Sequence, residues 1–133
     1  MRYLLDTNVC IRYLNGQSEK IHQQLNMKAP EEIALCSVVK AELIYGAHKS
    51  HNPSKNLQRL YFFADTLISL PFDDKAANIY GRIRTDLERA GTPIGPNDLM
   101  IAAIAIANEI ILVTHNTSEF SKVDTLRIED WEI

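Results

Sequence analysis

Three acids stand in sequence that suits burial better than charge. Asp6 closes the apolar run in YLLDTN, Glu42 lies inside VVKAELIYG, and Asp98 stands directly before LMIAAIAIA. A carboxylate in such surroundings is costly unless something stabilises its charge. Two carboxylates about 5 Å apart repel by roughly 3 kcal/mol at an effective dielectric of about 20. If the three converge, they must either take up protons or hold a cation. The donors are then oxygens alone, with no cysteine or histidine placed for zinc, and this suits Mg2+ or Mn2+. Mg2+ held by carboxylates is common equipment for attacking a phosphodiester.

Each acid also has a purely structural reading. With Gly95 as N-cap, Pro96 falls at the first helical position and Asp98 in the first turn, where the helix dipole favours a negative charge. Asp6 can serve as N-cap for a helix beginning near Asn8. Glu42, in the second turn of a helix, can simply be solvated. Glu31, Glu32, Asp73, Asp86 and Glu88 read as loop, cap or solvated-helix residues.

A fourth stretch, ILVTHNTSEF (111–120), follows a strand as Asp6 does. Thr114 is placed to hydrogen-bond a ligand carboxylate or a water, and Asn116 or Glu119 to ligate. Asn116 alternatively forms an Asx-turn at the strand exit. His115 reads as a loop residue with no metal role, and His22, His48 and His51 carry no visible chemistry.

The elements that must position these groups follow from periodicity. RYLL (2–5), IALC (33–36), LISL (67–70) and IILV (110–113) read as buried strands, with LRI (126–128) as a fifth. Between them lie helical stretches at 7–15, 18–27, 37–50 with Ser37 as N-cap, and 54–66. From Asp73 to Ala90 the residues Ala76, Ile79, Ile83, Leu87 and Ala90 recur every three or four positions, as on one face of a helix. GTPIG then breaks the chain ahead of the apolar helix at Asp98. Strands alternating with helices predict an α/β fold, a three-layer α/β/α arrangement with a mostly parallel central sheet of four to five strands. Such folds place their sites at the carboxyl ends of strands, near a switch in strand order.

The 133 residues suit one domain, 1–133, with no linker, repeat or low-complexity tract. Cys10 and Cys36 sit in apolar segments and read as small core residues of a reduced, cytoplasmic protein. There is no signal peptide, and the longest apolar stretch is too short for a membrane span. The net charge of −3 counts against a nucleic-acid binder, unless converging carboxylates hold a cation that reverses the local field.

Four ordered blocks, YLLDTNVCI, SVVKAELIYGA, GTPIGPNDLMIAA and VTHNTSEF, finish in RIEDW. Together they resemble the PIN-domain ribonucleases, and more narrowly the VapC toxins of bacterial toxin–antitoxin pairs, across essentially the whole chain. The resemblance implies that Asp6, Glu42 and Asp98 correspond to three metal-binding acids, with Glu42 ligating directly or through water. The family's fourth acid, in a Thr-x-Asp motif, is replaced here by Asn116 in Thr114-His115-Asn116, and Glu119 is the substitute. It further implies a Mg2+-dependent endoribonuclease (Mn2+ serving as alternative) acting on structured RNA such as tRNA, a cognate antitoxin partner and a homodimer. Arg12, Lys40, Lys49, Arg82 and Arg84 are candidates to hold the RNA backbone. Apolar residues such as Ile11 and Tyr13, Leu57 and Leu60, or Phe62 and Phe63 either form a partner face or belong to the core. Two rival readings remain: a PIN-like scaffold that binds RNA or protein without cutting, and an aspartate-based phosphatase. The second normally carries another acid two residues after the first, where this chain has Asn8.

Overall fold

Tyr3, Leu4 and Leu5 form strand β1 (Tyr3–Leu5), and all three are buried. Consecutive strand residues point to opposite faces, so both faces of β1 are covered. In the computed structural model, which describes residues 1–133, β1 is the central strand of a five-stranded, all-parallel sheet. Leu4 aligns with Ala34 of β2 (Ile33–Cys36) on one side and with Leu112 of β4 (Ile111–Val113) on the other. The edges are β3 (Ile68–Leu70) and β5 (Ile128–Glu129), giving the order β3-β2-β1-β4-β5. Leu4, Leu35 and Leu112 are fully buried, and each such side chain contributes about 1.5–3 kcal/mol of hydrophobic stabilisation.

The helices are α1 (Thr7–Leu14), α2 (Glu19–Asn26), α3 (Ser37–Lys49), α4 (Pro53–Ala64), α5 (Asp74–Arg89), α6 (Pro96–Ala107) and the single turn α7 (Thr117–Phe120). Their starts are chemically marked. Ser18, Asn52 and Asp73 accept hydrogen bonds from the Ile21, Lys55 and Ala76 backbone N–H groups. Gly95 caps α6 and Pro96 opens it, as expected. α6 packs along α5 and buries Leu99, Ile101, Ala102, Ala103, Ile104, Ala105 and Ala107. A helix enclosed on this many sides explains an apolar run with no polar face. α5 directs Ala76, Ile83 and Leu87 into the core, with Ile79 half-buried; Ala90 lies past the helix end and is exposed. Gly91 follows at φ +73°, a left-handed conformation that ends α5 at little cost in a glycine.

Two expectations need correction. Ser37 does not cap α3: strand β2 runs directly into the helix, Cys36 occupies the cap position, and the Ser37 hydroxyl donates to the Leu70 carbonyl of β3 at 3.5 Å. The fifth strand covers 128–129 rather than 126–128, because Leu126 is drawn into the core before the chain reaches the sheet edge. The α/β fold with a parallel central sheet of five strands is as expected, and every strand pair in it is parallel.

Candidate active site

The chain adds β2 and β3 on one side of β1 and β4 and β5 on the other. This switch leaves a crevice at the carboxyl end of β1, and Asp6 is the first residue beyond it. Its Oδ1 accepts the Thr7 backbone N–H at 2.8 Å, and its Oδ2 accepts the Thr114 hydroxyl at 2.8 Å. Asp6 is thus the N-cap of α1, as its structural reading held, but the cap engages only one oxygen. With 6% of its surface exposed, its pKa is raised by burial. The Thr114 and Thr7 hydrogen bonds oppose that shift, and the charge of Glu42 adds to it.

Thr114 is fully buried at the end of β4. Besides donating to Asp6, its oxygen accepts the Asn116 backbone N–H at 3.0 Å. The turn at the strand exit is therefore made by the threonine hydroxyl, which corrects the Asx-turn alternative for Asn116. The Asn116 side chain is exposed, does not cap α7, and lines an open cleft of about 580 Å³ together with Asp6, Asn8 and Arg12.

Glu42 is half-buried on α3, where the Thr7 hydroxyl donates to its Oε1 at 2.6 Å. Thr7 thereby ties Asp6, through its N–H, to Glu42, through its side chain. Sequence reasoning passed over this residue; the available signal was a hydroxyl directly after the acid in LLDTN.

Asp98, half-buried in the first turn of α6, has its carboxyl pushed up to about 6. Burial is the largest cause, followed by the negative charges of Asp6, Glu42 and Glu119. Three acids from three other segments therefore act electrostatically on Asp98. Glu119 reaches this group from α7 while holding Lys122 at 3.3 Å. The set is open: no three of the four bring ligating oxygens within 4.8 Å of one another.

The five basic candidates fall in different places. Arg12 shares the Asp6 cleft and pairs with Glu132. Lys40 is half-buried on α3, two residues before Glu42. The Lys49 ammonium lies 5.2 Å from the centre of the Tyr45 ring. Arg82 is exposed on α5. Arg84 pairs with Glu88 at 2.9 Å and bonds the Tyr80 hydroxyl, near Pro96. Cys10 and Cys36 are buried free thiols, both pushed up by burial.

Of the apolar pairs, Leu60 is core, Tyr13, Leu57 and Phe63 are half-buried, and Ile11 and Phe62 are 38% and 84% exposed. A groove between α1, α3 and α4 is lined by Ile11, Leu14, Leu43, Ala47 and Leu60, with Glu42 also in its wall. No helix is long and apolar enough to cross a membrane.

Comparison with known proteins agrees with this geometry. Residues 3–126 match the PIN domain family. The chain is 40% identical over 131 residues to the tRNA(fMet)-specific endonuclease VapC of Salmonella typhimurium, covering 98% of each chain. It is 40% identical to Ribonuclease VapC2 of Rickettsia felis, covering 99% of each. It superposes on the crystal structure of DNA-bound VapBC from Salmonella typhimurium with a TM-score of 0.93, 40% identity and 98% coverage of both chains. The phosphatase reading is set aside by this match. The acids of four segments, the parallel sheet that gathers them and these whole-chain likenesses lead to one conclusion: the chain belongs to the PIN-domain family, among its VapC-type ribonucleases.

Proposed function

We propose that this ribonuclease is the toxin of a type II toxin–antitoxin pair, that its cation is Mg2+, and that it cleaves tRNA in the cytoplasm. The observation that carries the reading is the Asp98 carboxyl, pushed up to about 6 by burial and by three neighbouring acids. Only Glu119 has a counter-charge of its own, in Lys122; Asp6, Glu42 and Asp98 have no basic partner, and a divalent cation supplies one. The donor set fits: carboxylate oxygens, two of them fixed by Thr7 and Thr114, with no thiol or imidazole among them. Divalent-metal dependence goes with the family; Mg2+ rather than Mn2+ is our reading of this oxygen-only set.

In the proposed arrangement Asp6 and Asp98 hold the cation directly, and Glu42 does so directly or through water. The chemistry such a cation supplies when bound is activation of water and neutralisation of charge on the phosphoryl oxygens. Thr114 fixes the orientation of Asp6, and Thr7 that of Glu42. Glu119, rather than Asn116, is the fourth acid of the set, because its charge reaches Asp98. Arg12 is the basic residue best placed to hold the RNA backbone, since it lines the Asp6 cleft. Lys40, Lys49, Arg82 and Arg84 have supporting roles along the RNA path. All 133 residues are taken as one PIN domain that functions as a homodimer.

The relative from Salmonella typhimurium is named for action on tRNA(fMet), and its solved structure is a VapBC complex bound to DNA. A cognate antitoxin is accordingly assigned to the groove of Ile11, Leu14, Leu43, Ala47 and Leu60. Its wall includes Glu42, so a segment seated there reaches the acids.

The test is cleavage of total tRNA by antitoxin-free protein in Mg2+, in EDTA, and by Asp98→Asn in Mg2+. Discrete fragments only from the unmutated protein in Mg2+ support the reading. Fragments that persist in EDTA and in the variant reject it.

A further inference from the structure

Trp131 anchors the end of the chain and so fixes two acids that the nuclease site does not use. Its ring is buried against Tyr3, centroids 5.3 Å apart and 66° inclined, and its indole N–H donates to Glu129 at 3.0 Å. Asp130 and Glu132 flank it. Asp130 Oδ1 accepts the Glu132 backbone N–H at 2.9 Å, and Oδ2 lies 2.9 Å from His115 Nδ1. Glu132 Oε1 accepts from Arg12, and Oε2 lies 3.8 Å from the same His115 nitrogen. The two carboxylate side chains are 10% and 8% exposed, against 62% for the imidazole. Ligating atoms of His115, Asp130 and Glu132 all lie within 4.8 Å of one another, which no other such trio of His, Cys, Asp or Glu in the chain achieves.

A second observation points to a ligand. Glu132 Oε2 is shielded from water and has no hydrogen-bond partner. Buried carboxylate oxygens are nearly always satisfied, so an orphan calls for a missing ion or water. A proton on His115 does not answer, because 3.8 Å is beyond hydrogen-bond reach and Nδ1 already faces Asp130.

We propose that His115, Asp130 and Glu132 form a second divalent-cation site, suited to Zn2+, on the rim of the Asp6 cleft. One imidazole and two carboxylates make a mixed nitrogen and oxygen set that favours a borderline ion over Mg2+. Three protein ligands leave a fourth position open, and His115 and Glu132 both line the cleft that Asp6 lines. Sequence alone assigns His115 to a loop without metal chemistry; the folded tail brings it two carboxylates. The site does not depend on the nuclease assignment, because none of its residues belongs to that acid set.

The test uses the full chain carrying Asp6→Asn and Asp98→Asn, near-isosteric changes that disable the other cation site. Zn2+ is titrated by calorimetry while the imidazole nitrogens are followed by NMR. The expected result is one Zn2+ per chain with a shift at His115 Nδ1. Adding His115→Asn, an exposed change that leaves the core untouched, is expected to weaken binding by about tenfold or more, a scale on which even outer-shell partners of a metal act. Glu132→Gln, which keeps the side-chain shape, is expected to do the same. Absence of binding overturns the proposal. So does binding unaffected by either substitution, which places the ion at other residues, or loss confined to the His115 variant.

Discussion

Thr114 and Asp6, 108 residues apart in sequence, are joined by a buried hydrogen bond of 2.8 Å in which the hydroxyl donates to Oδ2. The same hydroxyl oxygen receives the Asn116 N–H, so one side chain sets both the acid and the loop beside it. Thr114→Val keeps the shape and removes both bonds. It is expected to lower stability by about 1–3 kcal/mol, because a buried carboxylate oxygen loses its donor. Thr114→Ser is expected to retain most of the stability and activity. Thermal melts with and without Mg2+ check this; equal melts for the parent and the valine variant contradict it.

The Asp98 carboxyl is raised from 3.8 to about 6, so the folded state binds its proton more tightly than the unfolded chain does. The sign follows: this group's penalty is absent below about pH 4, grows between about 4 and 6, and is fully present above 6. Asp98→Asn removes the penalty. The variant is expected to melt higher than the parent at pH 7 in EDTA, by a margin that vanishes near pH 4, while cleaving no RNA. Melting both proteins in EDTA across that range decides it, and a variant that melts lower at pH 7 counts against it.

Glu119 and Asn116 compete for the place of the fourth acid. The charge of Glu119 reaches Asp98, whereas Asn116 is exposed and has no cap bond. Glu119→Gln is expected to weaken metal binding or cleavage by roughly 10–100-fold, and Asn116→Ala by much less. Parallel cleavage rates over a Mg2+ series separate the two. The reverse ranking transfers the role to Asn116.

The apolar groove offers a test in which none of the acids is substituted. Ile11 is 38% exposed at its edge, so Ile11→Ala disturbs the core little, and it brings no charge to the Asp6 cleft that Ile11 also lines. The variant is expected to retain RNA cleavage yet bind the antitoxin at least about tenfold more weakly, since an apolar anchor of the groove is truncated. Pull-down and cleavage in the presence of antitoxin measure both. Full inhibition of the variant places the partner elsewhere.

Much of this molecule was legible before folding was considered. The strands at residues 3–5, 33–36 and 111–113 are short apolar runs bounded by polar turns, and α5 and α6 follow from residue spacing and from Gly95-Pro96. Asp6 and Asp98 were conspicuous because charge adjoined apolar sequence. What escaped notice depends on tertiary encounter. α7 is a single turn, too brief for any period to appear. The Ser37 cap failed because the neighbouring strand supplied a rival acceptor in Leu70. Thr7 and the trio around His115 become visible only when α3 and the tail arrive beside them.

The central place of β1 has a consequence in time. A ribosome delivers Asp6 and Glu42 early, but β1 lacks one of its two neighbours until β4 has been made. Asp98, Thr114 and Glu119 also come from the last part of the message. Pairing between distant strands must wait for the later strand to exist, however readily the local helices form. The half-made chain therefore lacks Asp98, Thr114 and Glu119, and the cluster of acids is complete only once all four segments have been joined.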